Sequence, residues 1–320
     1  MKKLILCVLI VFLAFGMAAC QRGGNRAERV RFATGGVAGT YYPFGTAIAT
    51  VVTEKTGIPI IVQSTGASRA NIQLMQAGEV EMAIVQNDVM DYAWRGVDLF
   101  ATDGQITNFR TMAALYAEVC QIIVNPASGI RSIADLRGKN VSVGDAGSGV
   151  EFNARQILEA HGISFDDINR QNLGFGASAD AMRDGRIDAF FATAGAPTPA
   201  IVDLAIGRDI LIMEVSEANA ATLIRNYPFY SRHSIPAGTY RGMDTQVMTV
   251  AVKATLIVHE RLSDDTVYNM TKALFEYRSE IATGHARGND INASYAVEGI
   301  GNVPFHPGAA RYYREIGVLR

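Results

Sequence analysis

The sequence predicts an α/β protein that folds into two similar lobes. Strand-like and helix-like segments alternate along the chain, which is typical of α/β folds with largely parallel sheets. With 320 residues, the chain is too long for one small core and suits two domains. An internal echo favours two lobes of similar architecture. The segment 75–81 (MQAGEVE) is answered by 182–188 (MRDGRID) at an offset of 107 residues, and 39–40 (GT) by 147–148 (GS) at an offset of 108.

Residues 1–19 have the pattern of a signal peptide. A basic start precedes an apolar run at 4–15, which is too short to span a bilayer comfortably. The sequence at 17–20 (MAAC) resembles a bacterial lipobox, which predicts that Cys20 becomes a lipidated first residue anchored in the lipid bilayer. The alternative is an ordinary signal peptide with an incidental cysteine. The polar, Gly-rich stretch 20–28 predicts a flexible, lipidated tether, so we expect an exported lipoprotein facing the periplasm or the cell exterior.

Composition excludes several classes of protein. Removing Lys2 and Lys3 with the signal peptide leaves 27 of the 29 basic residues against 31 acidic ones, a formal charge of −4 without the basic stripe that nucleic acid needs. Cys7 leaves with the signal peptide and Cys20 is the lipidation candidate, so Cys120 alone remains. We therefore expect no disulfide framework and a core position for Cys120. We also expect a monomer.

Each strand predicted in the first part of the body is followed by a helix. A strand at 30–33 leads through a Gly-rich loop into a helix, whose end is indicated by Gly57. The later pairs repeat this alternation. The predicted strands are 30–33, 58–63 and 81–85, and the predicted helices are 44–55, 69–77 and 89–95.

The remaining chain predicts a second set of elements and a return to the first lobe. We expect strand crossovers near Glu118 and Val250, so that 29–117 plus 250–320 form lobe I and 118–249 form lobe II. The predicted strand at 210–215 leaves open whether the chain already returns to lobe I there, before Val250. The predicted strands are 121–124, 140–143, 172–175, 188–192, 210–215 and 249–258, and the predicted helices are 150–161, 264–282 and 306–316.

The loops that follow the strands carry the polar residues. In an α/β sheet, ligands bind beyond the carboxyl ends of the strands, where helix N-termini offer free N–H groups and partial positive charge. Glycine lets the backbone approach a ligand, and hydroxyl and amide side chains add donors. Two such rims predict a polar cleft for a small anion such as a carboxylate. The loops in question are 35–42, 64–68, 86–88, 144–149 and 193–197.

Known catalytic motifs do not match these loops. The loop 144–149 lacks the Lys-Ser/Thr of a phosphate-binding loop, and 36–39 lacks the spacing of a dinucleotide-binding loop. Ser148 has Ala146 where a nucleophile elbow needs glycine. The five histidines form no i, i+4 metal pair. We therefore expect a protein that is not an enzyme and that uses no cofactor and no metal.

Six motifs taken together resemble the TAXI-type solute-binding proteins of tripartite ATP-independent periplasmic (TRAP) transporters. They are Gly35–Pro43 (GGVAGTYYP), 64–68 (STGAS), 86–88 (QND), 147–149 (GSG), 188–191 (DAFF) and 235–240 (IPAGTY), and the resemblance covers 29–320. It implies a two-lobed periplasmic-binding-protein-like fold (type II-like), with two crossover strands and a ligand cleft between the lobes.

The resemblance also implies a function. The ligand would be a small carboxylate such as glutamate, glutamine or a C5 dicarboxylate like 2-oxoglutarate, and it would be delivered to an ion-gradient-driven TRAP permease in the membrane. A ligand-presenting component of a sensor or chemoreceptor system is the alternative. An enzyme on a binding-protein scaffold is a more remote one.

Fifteen residues are candidate ligand contacts. Thr40, Ser68 and Ser148 are the best donors to a carboxylate, although each could simply cap a helix. Tyr41 is expected to wall the cleft, and Glu118 could accept a ligand ammonium, because a buried charge needs a partner. The full set is Gly39, Thr40, Tyr41, Ser64, Gly66, Ser68, Gln86, Asn87, Asp88, Glu118, Gly147, Ser148, Gly149, Thr193 and Gly195.

Overall fold

The computed structural model describes residues 29–320 of the chain. The predicted signal peptide at 1–19, the lipidation candidate Cys20 and the tether at 20–28 lie outside the described residues. Within the described part, no helix is both long enough and apolar enough to cross a membrane. Strands and helices alternate over most of this part, so the predicted α/β class is confirmed.

The strands of the described chain form one mixed, ten-stranded sheet. In chain order they are β1 (Val30–Ala33), β2 (Ile60–Gln63), β3 (Met82–Gln86), β4 (Phe109–Val124), β5 (Asn140–Ser142), β6 (Asn169–Gln171), β7 (Ala189–Ala194), β8 (Leu211–Ile212), β9 (Ser231–Ile235) and β10 (Val247–His259). Their order across the sheet is β2-β1-β3-β10-β4-β7-β5-β6, with β8 paired to β4 and β9 to β10. β1, β2 and β3 form one parallel group and β5, β6 and β7 another, and the antiparallel pair β4 and β10 joins them.

Helices connect the strands of each parallel group. In chain order they are α1 (Tyr41–Thr56), α2 (Ser68–Gln76), α3 (Asn87–Arg95), α4 (Gly149–Ala160), α5 (Phe175–Arg183), α6 (Pro199–Gly207), α7 (Glu217–Asn226), α8 (Asp264–Glu276), α9 (Arg278–Gly284), α10 (Ala293–Ala296) and α11 (Pro307–Glu315). The helices α1 to α6 each begin beyond the carboxyl end of the strand before them. Their N-termini therefore lie at the edge of the sheet where ligands bind in α/β folds.

The long strands β4 and β10 pass from one lobe to the other. Residues 254–258 of β10 pair with β3 in the first lobe, whereas 119–124 of β4 pair with β7 in the second. The two strands also pair with each other, along Phe109 to Val119 of β4. The two expected crossover strands are therefore confirmed, and Glu118 lies on one of them. The limits of the lobes, 29–117 with 250–320 and 118–249, stay a prediction.

Two large hydrophobic cores lie on either side of the crossover strands. In the first, Phe44 and Ile48 of α1 pack with residues of β1, β3, α8 and α11. In the second, Ile157 of α4 and Leu223 of α7 pack with the far half of β4 and with β5 and β7. Cys120 is a free thiol, 2% exposed, in the second core, so its predicted core position is confirmed.

The internal echo corresponds to equivalent turns in the two lobes. Gly78 after α2 and Gly185 after α5 have φ values of 71° and 72°, which glycine adopts without strain. The N–H of each glycine donates to the carbonyl of a methionine, Met75 or Met182, three residues earlier. Each turn then leads into a buried strand, β3 or β7.

Most strands lie within two residues of their predicted limits, whereas β4, β6 and the short β8 differ by more. β4 begins at Phe109, twelve residues before the predicted start at 121, because most of its residues are buried and the run shows no alternation of apolar and polar residues. The predicted strand at 172–175 is wrong. β6 ends at Gln171, and Gly174 is the N-cap of helix α5.

Other differences lie in the second half of the chain. The helix predicted at 264–282 is broken at Tyr277 into α8 and α9. The strand predicted at 210–215 is the short β8, which pairs with the second-lobe part of β4 and therefore does not return to lobe I. Helices α6, α7 and α10 and strand β9 were not predicted, and of helix α5 only the end near 182 was predicted.

Candidate functional site

A cavity of about 270 Å³ lies between the two lobes. Its walls are the loops that follow β1, β2, β5 and β6, together with side chains from β3, β4 and β7. Ten of the fifteen predicted contacts line it: Gly39, Thr40, Tyr41, Gly66, Ser68, Gln86, Glu118, Ser148, Gly149 and Thr193.

The other five predicted residues do not line this cavity and have local roles. Ser64 Oγ donates to a carbonyl of the Gly-rich loop at 3.0 Å, and Asn87 Nδ2 donates to a carbonyl near the C-terminus at 2.8 Å. Asp88 Oδ1 accepts from the next backbone N–H, at the start of α3. Gly147 N–H donates to a glutamate of α4, and the Gly195 carbonyl accepts from Thr40 Oγ1 at 3.2 Å. Ligand contact stays a prediction for all fifteen.

Four helix N-termini converge on the cavity. Thr40 precedes α1, Ser68 begins α2, Ser148 precedes α4 and Gly174 precedes α5, and all four residues are in the cavity wall. The first N–H groups of a helix have no partner within it, and the helix dipole adds about half a positive charge at that end. The cavity is therefore suited to an anion held by backbone N–H groups and hydroxyls.

The N-terminus of α5 was missed from the sequence, and with it the lining segment 174–177. The wrong strand at 172–175 hid it. The internal echo contained the missing signal. It places a helix end near 182 that matches the end of α2, and a helix of the same length as α2 would begin near 174. Asp145 and Val150 also line the cavity. Asp145 lies in the predicted loop at 144–149, and Val150 directly follows that loop.

The hydroxyls of the wall keep capacity for a ligand. Ser148 Oγ accepts from a backbone N–H of α4 at 3.2 Å, which is ordinary N-capping. Ser68 Oγ instead accepts from the backbone N–H of Gln86 at 3.1 Å. A serine hydroxyl that accepts one bond still has its own proton to donate, so capping and ligand binding are compatible.

The floor of the cavity carries Glu118 and Tyr41. Tyr41 Oη donates to Glu118 Oε2 at 2.8 Å, and the two residues are 7% and 2% exposed. Burial raises the pKa of Glu118 to about 8, against the lowering effect of the hydrogen bond from Tyr41. The carboxyl group is therefore mostly protonated at neutral pH, and the floor is close to neutral.

No lysine or arginine occurs among the described residues that line the cavity. Arg69, next to Ser68, pairs with Asp103 at 2.8 Å, and Arg155 pairs with Asp98 at 2.8 Å. Attraction for an anion therefore comes from backbone N–H groups and hydroxyls rather than from a side-chain cation. Within 29–320, no cluster of three or more His, Cys, Asp or Glu residues could hold a metal ion.

Gln86 presents an unpaired acceptor in the wall. The residue is 2% exposed, and its Nε2 donates to Asn153 Oδ1 at 3.0 Å. Its Oε1 has no hydrogen-bond partner in the described chain. It also lies so close to Gly149 that a Cβ on that glycine would overlap with it, which explains a glycine at the first position of α4.

The chain is similar to known proteins over most of its length. The family model of NMT1-like proteins matches residues 32–317. The chain is similar to the alkanesulfonate-binding protein SsuA from Xanthomonas axonopodis pv. citri bound to MOPS, at 13% identity over 91% of this chain and 94% of that one, with a TM-score of 0.51.

Two further solved structures are similar over most of their length. PhnD1 from Prochlorococcus marinus in complex with methylphosphonate is 9% identical over 92% of this chain and 100% of that one, with a TM-score of 0.55. A structure described as a periplasmic transporter is 16% identical over 92% and 94% of the two chains, with a TM-score of 0.56. The expected two-lobed periplasmic-binding-protein-like fold is therefore confirmed.

Proposed function

This chain belongs to the NMT1-like family, and from that premise we propose that it is an extracytoplasmic solute-binding protein for a small carboxylate. The observation that carries the proposal is the convergence of four helix N-termini on the interlobe cavity. Among the described residues, no lysine or arginine lines this cavity. Backbone N–H groups there replace the water that a carboxylate loses on entry.

Size and charge favour a small monoanionic group. Drug-sized ligands occupy pockets of about 300–1,000 Å³, and the cavity here, about 270 Å³, is slightly smaller than that range. The similar structures include one bound to MOPS and one in complex with methylphosphonate, so this fold holds small anions in those proteins. A doubly charged group such as a phosphonate would need a cation in the wall, which favours a singly charged group for this chain.

The transporter class is the finer part of the proposal. The six motifs at 35–43, 64–68, 86–88, 147–149, 188–191 and 235–240 support a TAXI-type protein that delivers glutamate, glutamine or a C5 dicarboxylate to a TRAP permease. We propose that lobe I (29–117 plus 250–320) and lobe II (118–249) close on the ligand around β4 and β10.

The experiment that tests the proposed function is a calorimetric titration panel at pH 7.5. Amino acids, C4 and C5 dicarboxylates, an alkanesulfonate and methylphosphonate are titrated into the purified protein. We expect a Kd at or below the micromolar range for at least one carboxylate. Heat only from the sulfonate or the phosphonate, or from none of the compounds, would contradict the proposal.

We also propose membrane anchoring through lipidated Cys20. The lipobox-like sequence at 17–20 supports it, and several acyl chains give stable anchoring. Labelled palmitate should be incorporated into the wild-type protein and not into a Cys20→Ser variant, which should leave the membrane fraction. Equal membrane association of both proteins would contradict the anchor.

A further inference from the structure

Two acidic residues of the described chain line the cavity, Glu118 and Asp145, and their surroundings differ. Glu118 is buried, accepts the hydrogen bond from Tyr41 Oη at 2.8 Å and is mostly protonated at neutral pH, since its pKa is about 8. It therefore offers little negative charge to a ligand. Asp145 is exposed, so its carboxyl group is ionised at neutral pH.

The Asp145 carboxylate has no partner among residues 29–320. No described group donates a hydrogen bond to its oxygens, and partial burial is the one influence on its pKa, which it raises. Arg69 Nη1 lies near Gly147, two residues away, but Arg69 pairs with Asp103 at 2.8 Å. An ionised group in the wall of a cavity is stabilised when a ligand supplies the opposite charge.

Asp145 lies next to two of the helix N-termini in the cavity wall. Its carboxylate oxygens are 3.0 and 3.3 Å from the position that a Cβ on Gly174, the N-cap of α5, would take. Its backbone carbonyl accepts from the N–H of Ser148, the N-cap of α4, at 2.9 Å. Both caps line the cavity. A ligand carboxylate bound to the N-termini of α4 and α5 would therefore lie close to the Asp145 carboxylate.

Two carboxylates that lie close together repel each other unless a cation compensates them. In an α-amino acid, the ammonium and carboxylate groups are attached to the same carbon atom. A carboxylate held by the helix N-termini therefore brings the ammonium group within reach of Asp145. A dicarboxylate without an ammonium group brings only further negative charge to this part of the wall.

We propose that Asp145 is a specificity-determining residue that binds the ammonium group of the ligand, so that the site selects an α-amino acid over a dicarboxylate. This role rests on the proposed function and narrows its ligand class. The ammonium acceptor expected at Glu118 from the sequence is thereby reassigned to Asp145. Glycine at 174 fits this role, because a Cβ there would crowd the carboxylate.

L-glutamate and glutarate are the matched probes, because both carry two carboxylates and only glutamate carries an ammonium group. Their Kd values are measured by calorimetry at pH 7.5. We expect the wild-type protein to bind glutamate about tenfold or more tightly than glutarate. Asp145→Asn removes both the attraction for the ammonium group and the repulsion of carboxylates. The Kd of glutamate should therefore rise and that of glutarate should fall, so that the preference shrinks by about fivefold or more.

The matched control is Asp166→Asn. Asp166 is exposed, lies in the predicted second lobe and does not line the cavity. Its replacement changes the net charge of the protein by the same amount, so any effect of net charge alone appears in both variants. The control should keep the Kd values of both ligands.

The two ligands together distinguish the possible roles of Asp145. Equal weakening of both in Asp145→Asn would show a structural role, and equal tightening would show that Asp145 only repels carboxylates. Unchanged affinity for both would show that Asp145 does not reach the ligand. Each of these results overturns the ammonium contact.

The wild-type protein separates this role from the proposed function. If it binds carboxylates without preferring glutamate to glutarate, the role of Asp145 is overturned and the proposed function stands. If no carboxylate binds, both fail. Should Asp145→Asn fail to fold by circular dichroism, Asp145→Ala, which removes the same charge, replaces it with the same expected opposite changes in the two Kd values.

Discussion

At the scale of single residues, hydroxyl groups in the cavity wall combine local capping with a capacity to bind. Ser148 caps α4 through its oxygen, and its proton remains for a ligand. Thr40 makes no side-chain cap, and its Oγ1 donates across the lobes to the carbonyl of Gly195 at 3.2 Å. Sequence reasoning predicted these residues because Gly-Ser/Thr before a helix is a local pattern.

Removal of either hydroxyl should weaken ligand binding. Thr40→Ala and Ser148→Ala are each expected to lose about 1–2 kcal/mol of binding free energy. Ser148→Ala removes a donor to a buried charged group, and Thr40→Ala removes the hydrogen bond to the Gly195 carbonyl that joins the two lobes beside the cavity. Ser216→Ala is the control, since Ser216 caps α7 in the same way but does not line the cavity. Calorimetry should show unchanged affinity for the control, although its thermal stability falls. Unchanged affinity in both cavity variants would place the site elsewhere.

Hydrogen-bond partners that lie far apart in the sequence were not predictable. Asp88 and Asn153 are 65 positions apart and lie on α3 and α4 in different lobes. Asp88 was predicted as a ligand contact because it follows β3, whereas its carboxylate accepts from the Val89 N–H in the first turn of α3 and from Asn153 Nδ2. Only the packing of the two helices shows that Gln86, which also bonds to Asn153, is the member of this group that lines the cavity.

At the scale of elements, strand-to-helix turns determine the site. The elements of the first lobe were largely predictable, because glycine, proline and short apolar runs mark their ends locally. β4 was not, since a strand buried on both faces has no period. Helices α6 and α7 have only 9 and 10 residues and no strong apolar stripe, so the sequence pattern did not predict them.

The crossover strand β4 carries a carboxyl group that should make stability depend on pH. Burial raises the pKa of Glu118 from 4.5 to about 8, so between these values the folded state binds more protons than the unfolded state. Stability therefore falls as pH rises through this window. Glu118→Gln should reduce the fall in unfolding midpoint between pH 7 and 8.5, above the range in which Asp88, with a pKa of about 6, contributes.

Thermal unfolding of the two proteins at matched ionic strength measures this difference. The glutamine keeps the shape of the side chain and an acceptor for Tyr41 Oη, so the fold should be retained. Parallel curves of midpoint against pH for the wild type and the variant would show that Glu118 does not hold a proton in the folded state.

At the scale of the whole molecule, the lobes are in contact around the cavity. Ala200 N–H donates to the Ala38 carbonyl at 3.2 Å, and Arg287 Nη2 donates to the Ala196 carbonyl at 2.8 Å. These bonds cross between segments that the predicted limits assign to different lobes. Separation of the lobes would break these bonds, and β4 with β10 provides the connection about which the lobes can move.

Two lobes were predictable from length and the internal echo, whereas their closure was not. Contacts such as Thr40 with Gly195 join loops about 155 residues apart, and no local pattern encodes such a pairing. The chemical character of the cavity was predictable in part, because the loops at 35–42, 64–68 and 144–149 all contribute to it. The contribution of α5 required the structure.

The most direct test of the central claim is a crystal structure of the protein with the carboxylate that gives the highest affinity in the titration panel. We expect the carboxylate oxygens within about 3 Å of the backbone N–H groups that begin α1, α2, α4 and α5. A ligand bound outside this cavity, for instance in the surface cavity lined by Arg208 and Arg241, would contradict the account.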